Sequence, residues 1–169
     1  MKKLIAPLRE NEIMQLKAGD EVCLSGAIYT ARDQAHKNMV KKLPFNLKGQ
    51  IIYYCGPTKT PPGKIIGACG PTTASRMDEF TLPLLKAGLK GMIGKGGRSK
   101  EVVAAIKKYK AVYFLTFAGC GALLAKYIRK AKTIAYKDLG PEAILKLEVK
   151  DFPLIVGIDA KGRNIYGQE

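Results

Sequence analysis

The first long apolar segment with strand character is EVCLSGAIYT, residues 21–30, which follows Gly19-Asp20 and mixes β-branched with aromatic side chains. Beyond it Ala35, Met39, Val40 and Leu43 recur at helical spacing, which predicts a helix within 31–43 and places Asp33 in its first turn, where a negative charge suits the helix dipole. Two short apolar runs follow, Ile51-Ile52-Tyr53-Tyr54 and Ile65-Ile66-Gly67-Ala68. Both are too short for helices and read as strands that stop at turn signals. Both also stop at the same four residues, CGPT, at 55–58 and at 69–72, with a rigid Thr60-Pro61-Pro62-Gly63 loop between them. An echo of four residues is too short to mark a duplicated domain.

The pattern returns to helical spacing over 73–87, with Asp78 and Glu79 early and Gly88 closing the segment. A strand is predicted at 91–94, then a glycine-rich KGGRS, then a helix over 99–109 with Val102, Val103 and Ile106 on one face. Residues 111–117 form an unbroken apolar run of the kind buried on both faces of a sheet. A small-residue helix is expected over 119–128 and a strand over 133–136, followed by apolar segments at 147–149 and 154–159 and a turn at 161–164. Strands alternating with helices predict an α/β domain with some parallel pairing, and no linker divides it, so one domain over 1–169 is expected.

Composition adds a charge to explain. The chain carries 29 Lys+Arg against 14 Asp+Glu, a formal +15, within a sequence that is 47% hydrophobic and therefore able to fold. Such an excess points to nucleic acid, an anionic membrane face, an acidic protein or a small anion, with a lysine-rich solvated surface as the plain alternative. Only six of the cations are Arg, Trp is absent and aromatics are 8%, so phosphate forks and stacking platforms are scarce. A basic nucleic-acid-binding module without catalysis remains a distant alternative, lacking any RNP-type, KH-type or helix-turn-helix signature. The four cysteines, Cys23, Cys55, Cys69 and Cys120, include no Cys-x-x-Cys pair, which argues against structural zinc. The first residues hold no signal-peptide core and no stretch approaches a membrane span, so the expected setting is a reducing cytoplasm with free thiols.

Three clusters carry candidate chemistry, each where a predicted strand gives way to a helix. In GPTTASRMD (70–78), free backbone N–H groups at a helix start favour an anion, and Thr72 and Arg76 stand one turn apart. The plain alternative is a capping Thr72 or Thr73 and an Arg76 paired with a carboxylate. KGGRS (95–99) repeats the arrangement with a cation beside flexible backbone, without the spacing of a Walker A loop. YTARDQAH (29–36) holds the chain's one histidine, with Arg32 and Asp33 within a helical turn of His36. A packed imidazole is the plain reading there.

Taken together, YTARDQAH (29–36), YYCGPTKTPPGKIIGACGPTTASRMDEF (53–80) and GMIGKGGRS (91–99) resemble the β subunit of the two-subunit class I fumarases and tartrate dehydratases. AVYFLTFAGCGALLAKYI (111–128), AYKDLGPEAI (135–144) and LEVKDFPLIVGID (147–159) are similar as well, so the resemblance covers most of the chain from about residue 20. It implies a three-layer β/β/α swivelling domain with a mixed sheet. It also implies an iron–sulfur hydro-lyase of α₂β₂ type serving the tricarboxylic acid cycle, with the 4Fe-4S cluster held by the cysteines of a fumarase-like α subunit and not by this chain.

The activity so implied is reversible hydration of fumarate to L-malate, with L-tartrate dehydration as the alternative. Position by position, Thr72 resembles the family's proposed catalytic base, and Arg76, Lys95 and Arg32 resemble ligands of the substrate carboxylates. Asp33 and His36 stand with the catalytic group in supporting positions. A threonine alcohol is a weak base at neutral pH, which leaves open whether Thr72 takes the proton or orients the substrate. The chain departs from many relatives at Ser75, where glycine is expected, and at Cys55 and Cys69, where Ala or Gly is common.

Overall fold

The computed structural model describes residues 1–167, so the last two positions of the expected 1–169 domain lie outside the described residues. The elements run β1 (Lys2–Ala6), α1 (Glu10–Ile13), β2 (Glu21–Thr30), α2 (Asp33–Met39), β3 (Ile51–Tyr53), α3 (Asp78–Lys86), β4 (Gly91–Gly94), α4 (Lys100–Tyr109), β5 (Val112–Leu115), α5 (Gly121–Ala125), β6 (Ile128–Ala135) and β7 (Ile144–Ile158). Seven strands form one mixed sheet in the order β1-β2-β3-β4-β5-β7-β6. The first five are mutually parallel, while β7 runs antiparallel to β2, β5 and β6.

Because β7 pairs with both β2 and β5, the sheet curls back on itself and gives two β layers. The alternation of side chains along each strand then fills two cores. Ile51, Tyr53, Ile93, Val112 and Phe114 point between the β layers, where they meet Leu24, Ile28, Leu147, Phe152 and Val156. Their neighbours Ile52, Tyr54, Met92, Tyr113 and Leu115 point the other way, against Ala35 and Met39 of α2, Leu84 and Leu85 of α3, and Val102 and Ile106 of α4. Burial on both faces is why these strands read as continuous apolar runs. The result is an α/β fold of two β layers with helices over one of them.

Several boundaries differ from expectation. No strand forms over 65–68: Ile66 is buried but Ile65 is exposed, and this stretch belongs to the loop between β3 and the next helical segment. The helix expected over 73–87 is a 3-10 turn, Ala74–Met77, followed by α3, because backbone bonding to Lys95 holds Ala74 and the Asp78 carboxylate is fixed by Arg98 and Ser99. The two apolar segments of the tail are one 15-residue strand, β7. It crosses Asp151 at φ 53 and Pro153 through a register shift opposite Leu24 and Gly26. At Gly26, itself at φ +104, a Cβ would lie 2.7 Å from the Ala6 carbonyl oxygen, so this shift requires glycine. β6 begins at Ile128, before the expected 133, and α5 is correspondingly short. β1 and α1 lie in a segment for which no element was anticipated.

Candidate active site

Parallel pairing puts the C-terminal ends of β2, β3 and β4 along one edge, the edge where open α/β sheets hold ligands. Thr30 ends β2 and leads into Arg32 and Asp33, Tyr53 ends β3, and Gly94 ends β4 and leads into Lys95. The segment at 72–74 threads between these ends. Thr72 N–H donates to the Tyr54 carbonyl at 2.6 Å, Lys95 N–H to the Thr72 carbonyl at 3.3 Å, and Ala74 N–H to the Lys95 carbonyl at 2.9 Å. A parallel bridge between Thr73 and Lys95 completes the link. At Gly94 a Cβ would stand 2.9 Å from the Tyr54 ring, 3.1 Å from the Ala74 methyl and 3.3 Å from the Thr72 carbonyl oxygen. The three segments therefore meet where only glycine leaves room.

Asp33, at the first position of α2, holds two cations. Arg76 Nε donates to Oδ1 at 3.0 Å and Arg76 Nη2 to Oδ2 at 2.7 Å, a bidentate fork. Arg32 Nε lies 3.8 Å from Oδ2, within ion-pair range but too far for a hydrogen bond, and this buried nitrogen has no partner among the described residues. The Arg32 side chain passes close over Gly56, where a Cβ would come within 2.8 Å of its Cδ. Arg76 is thus the paired arginine of the plain reading, but its partner is Asp33 of the first cluster. The backbone-only cap at Thr73 leaves the threonine side chains out of helix capping. No described carboxylate pairs with Lys95.

His36 is fully buried. Its ring packs edge-on to Tyr54 at 5.3 Å and tilted against Phe80 at 6.1 Å, with Nδ1 2.8 Å from the Arg32 carbonyl oxygen. Burial pushes its pKa down to about 4, opposed by the Arg32 carbonyl, so the ring is neutral at pH 7. That contact assigns the proton to Nδ1 as donor, leaving Nε2 buried without a partner. The packed-imidazole reading describes this environment, and the imidazole reaches the cluster through the backbone of Arg32.

A supporting network escaped the sequence reading. Arg98, expected as a cation beside flexible backbone, turns inward with its side chain wholly buried. Its guanidinium donates to Asp78 at 2.6 Å, to Thr81 Oγ1 at 2.7 Å and to the Tyr54 hydroxyl at 3.2 Å, and lies over the Tyr54 and Tyr113 rings. Asp78 also accepts from Ser99 N–H at 2.8 Å, and Ser99 caps α4 through Val102 N–H. This network ties the start of α3 to the loop after β4. The pairing of Asp78 with Arg98, 20 residues apart, has no periodic signature; the only sequence signal was an acid early in one helix and an arginine beside glycines.

A cavity of about 900 Å³ lies to one side, lined among others by Gly97, Ser99, Lys107, Lys161 and Tyr166, and includes none of Arg32, Asp33, His36, Thr72, Arg76 or Lys95. Among the described residues no group of three or more His, Cys, Asp or Glu side chains is placed to hold a metal ion. The described residues do not by themselves fit the ligand set of an iron–sulfur cluster.

The sequence model of the fumarase C-terminus matches residues 2–169. The chain belongs to that family. Family members similar to it include a putative L(+)-tartrate dehydratase subunit beta of Methanocaldococcus jannaschii, 39% identical over 94% of this chain and 88% of that protein. They also include the aerobic class I fumarate hydratase of Escherichia coli, 37% identical over 99% of this chain, and fumarate hydratase 2 of Leishmania major, 39% identical over 99% of it. The chain spans only 31% of the length of each of these two fumarate hydratases. The family is thus one of hydro-lyases, and the chain matches one part of the longer enzymes and most of a separate subunit. No described helix is long and apolar enough to cross a membrane.

Proposed function

We propose that this chain is the β subunit of a two-subunit iron–sulfur hydro-lyase that hydrates fumarate reversibly to L-malate. The observation that supports the reading is that Arg32 and Arg76 share Asp33 while the backbones of Thr72 and Lys95 are bonded to each other at the same edge of the parallel strands. A dicarboxylate dianion is the substrate class such a group suits. In the dehydration direction a proton leaves the carbon beside a carboxylate, and negative charge grows on that carboxylate. Cations fixed around it bind the transition state more tightly than the ground state, and so catalyse. Lys95 and the two arginines take this role.

Thr72 takes or orients that proton in this proposal. Its backbone is bonded on one side to Tyr54 and on the other to Lys95, which fixes the main chain from which the hydroxyl projects. Asp33 acts through Arg76 and His36 through the Arg32 carbonyl, so both are positioning residues in this proposal. The 4Fe-4S cluster is assigned to a fumarase-like α subunit in the same cytoplasmic hetero-oligomer.

The test is reconstitution. Mixed anaerobically with the matching α subunit, the chain should support fumarate hydration that oxygen abolishes. Absence of turnover with fumarate, L-tartrate and mesaconate would overturn the proposal. A second reading, L-tartrate dehydratase, is favoured by the near full-length match to a protein named as that enzyme's subunit beta. A kcat/KM for L-tartrate exceeding that for fumarate would establish it.

A further inference from the structure

The two CGPT repeats bring their cysteines together. Cys55 follows β3, Cys69 lies 14 residues later, and their sulfurs are 2.8 Å apart. Both side chains sit in the core between the β layers, at 1% and 0% exposure. The intervening loop is laced at its neck: Thr58 N–H donates to the Ala68 carbonyl at 3.0 Å, and Ala68 N–H to Thr58 Oγ1 at 2.8 Å. Cys69 itself is held by the Tyr53 hydroxyl on its carbonyl at 2.6 Å and by its own N–H on the Gly121 carbonyl at 3.0 Å. A third rung between the two sides of this neck is thus already in place, made of two thiols. An S–S bond is about 2.05 Å long, so closure needs a shift of under about 1 Å.

We propose that Cys55 and Cys69 are a reversible redox pair, closed to an intramolecular disulfide by hydrogen peroxide and reopened by a dithiol. In the first step one sulfur takes an oxygen from the peroxide, giving a sulfenic acid and one water. The second thiol then attacks that sulfur, forms the S–S bond and releases the hydroxyl as a second water. Two thiols and one peroxide become one disulfide and two waters, the two electrons passing from sulfur to the peroxide oxygens. Reduction is thiol–disulfide exchange with the dithiol.

Size favours a peroxide over a bulky disulfide oxidant. The mutual hydrogen bond and then burial push the Cys55 thiol far up, which slows its attack on any oxidant, and both sulfurs are buried, so only a small oxidant reaches them. The consequence is local. Thr72 lies three residues beyond Cys69 and Tyr54 immediately precedes Cys55, so the closed bond fixes the neck from which the Thr72 segment emerges. The inference is independent of the proposed reaction.

The reduced full-length chain, treated with hydrogen peroxide and then alkylated after denaturation, should show alkylatable thiols falling from four to two. Its intact mass before alkylation should include a species about 2 Da lighter than the reduced chain, and a Cys55–Cys69 linked peptide should disappear after dithiothreitol. Cys55→Ser and Cys69→Ser should each abolish the linkage, whereas Cys23→Ser and Cys120→Ser should retain it. Four alkylatable thiols after treatment, oxygen added at Cys55 or Cys69 without linkage, or a disulfide that includes Cys23 or Cys120, would each overturn the proposal. All of these readings are available on the unmutated protein, so none depends on whether a variant folds.

Discussion

Asp33 and Arg76 are joined by two parallel hydrogen bonds, at 3.0 and 2.7 Å, across 43 residues of sequence. One carboxylate thereby fixes the plane of a half-exposed guanidinium that has room to reach a ligand. In the reconstituted enzyme Arg76→Ala should lower kcat/KM by at least about a hundredfold. Asp33→Asn should raise KM about tenfold with a smaller change in kcat, and the double variant should be no worse than Arg76→Ala alone, since the two residues act as a unit. Steady-state kinetics of the three variants measures the coupling.

Gly94→Ala tests the meeting point of the three segments. A methyl there would be 2.9 Å from the Tyr54 ring and 3.3 Å from the Thr72 carbonyl oxygen, and none of these neighbours is the free end of a flexible chain. Urea unfolding should show a loss of about 1–3 kcal/mol. Activity should fall about a hundredfold, more than the folded fraction does, because Thr72 and Lys95 are displaced relative to each other.

His36 predicts a pH dependence. Its pKa is about 4 in the fold and 6.5 when free, so between these values the unfolded chain binds a proton that the folded chain refuses. The contribution to stability is complete above pH 6.5 and is lost as the pH falls toward 4, amounting to roughly 3 kcal/mol over that window. His36→Gln removes the titration and retains a donor for the Arg32 carbonyl. The difference in unfolding free energy between wild type and variant, followed from pH 7 to pH 4, should change by that amount in the variant's favour.

Arg98→Met should destabilise the chain by about 3–5 kcal/mol, because it leaves the Asp78 carboxylate without its charge partner and the Tyr54 and Thr81 hydroxyls without their donor. Arg98→Lys should recover only part of this, since an ammonium on a flexible stem cannot reach all three acceptors in the plane of a guanidinium. Denaturant unfolding of both variants gives the comparison.

Two of the three clusters were readable because they follow the ends of β2 and β4, and strand ends are marked by local signals, apolar runs and then glycine, proline or a hydroxyl residue; the third, 70–78, follows a loop. β2 and β4 were expected with their observed boundaries for that reason, as was α4 within one residue. What stayed hidden depends on distant partners. Nothing local announces that Asp33 will meet Arg76, or that Arg98 will leave its glycine-rich loop for the interior. His36 looked like a member of a polar cluster because helical spacing tells which residues share a turn, while its burial is set by Tyr54 and Phe80 arriving from elsewhere. The tail read as two apolar segments, with Asp151 and Pro153 between them, yet a register shift against β2 accommodates Asp151 at φ 53 and lets one strand continue through. The apolar run at 65–68 failed as a strand for the opposite reason, being bonded to its neighbour only at Thr58 and Ala68.

β7 also explains how the same unit travels between proteins of different architecture. By bonding to β2 on one side and β5 on the other, it closes β2, β3, β4 and β5 into a ring whose spacing is set internally. Strand ends mounted on such a ring keep their mutual positions whatever is attached outside it. A cassette of this kind carries its own strand spacing, and relatives contain a matching unit as most of a separate subunit or as about a third of a longer enzyme.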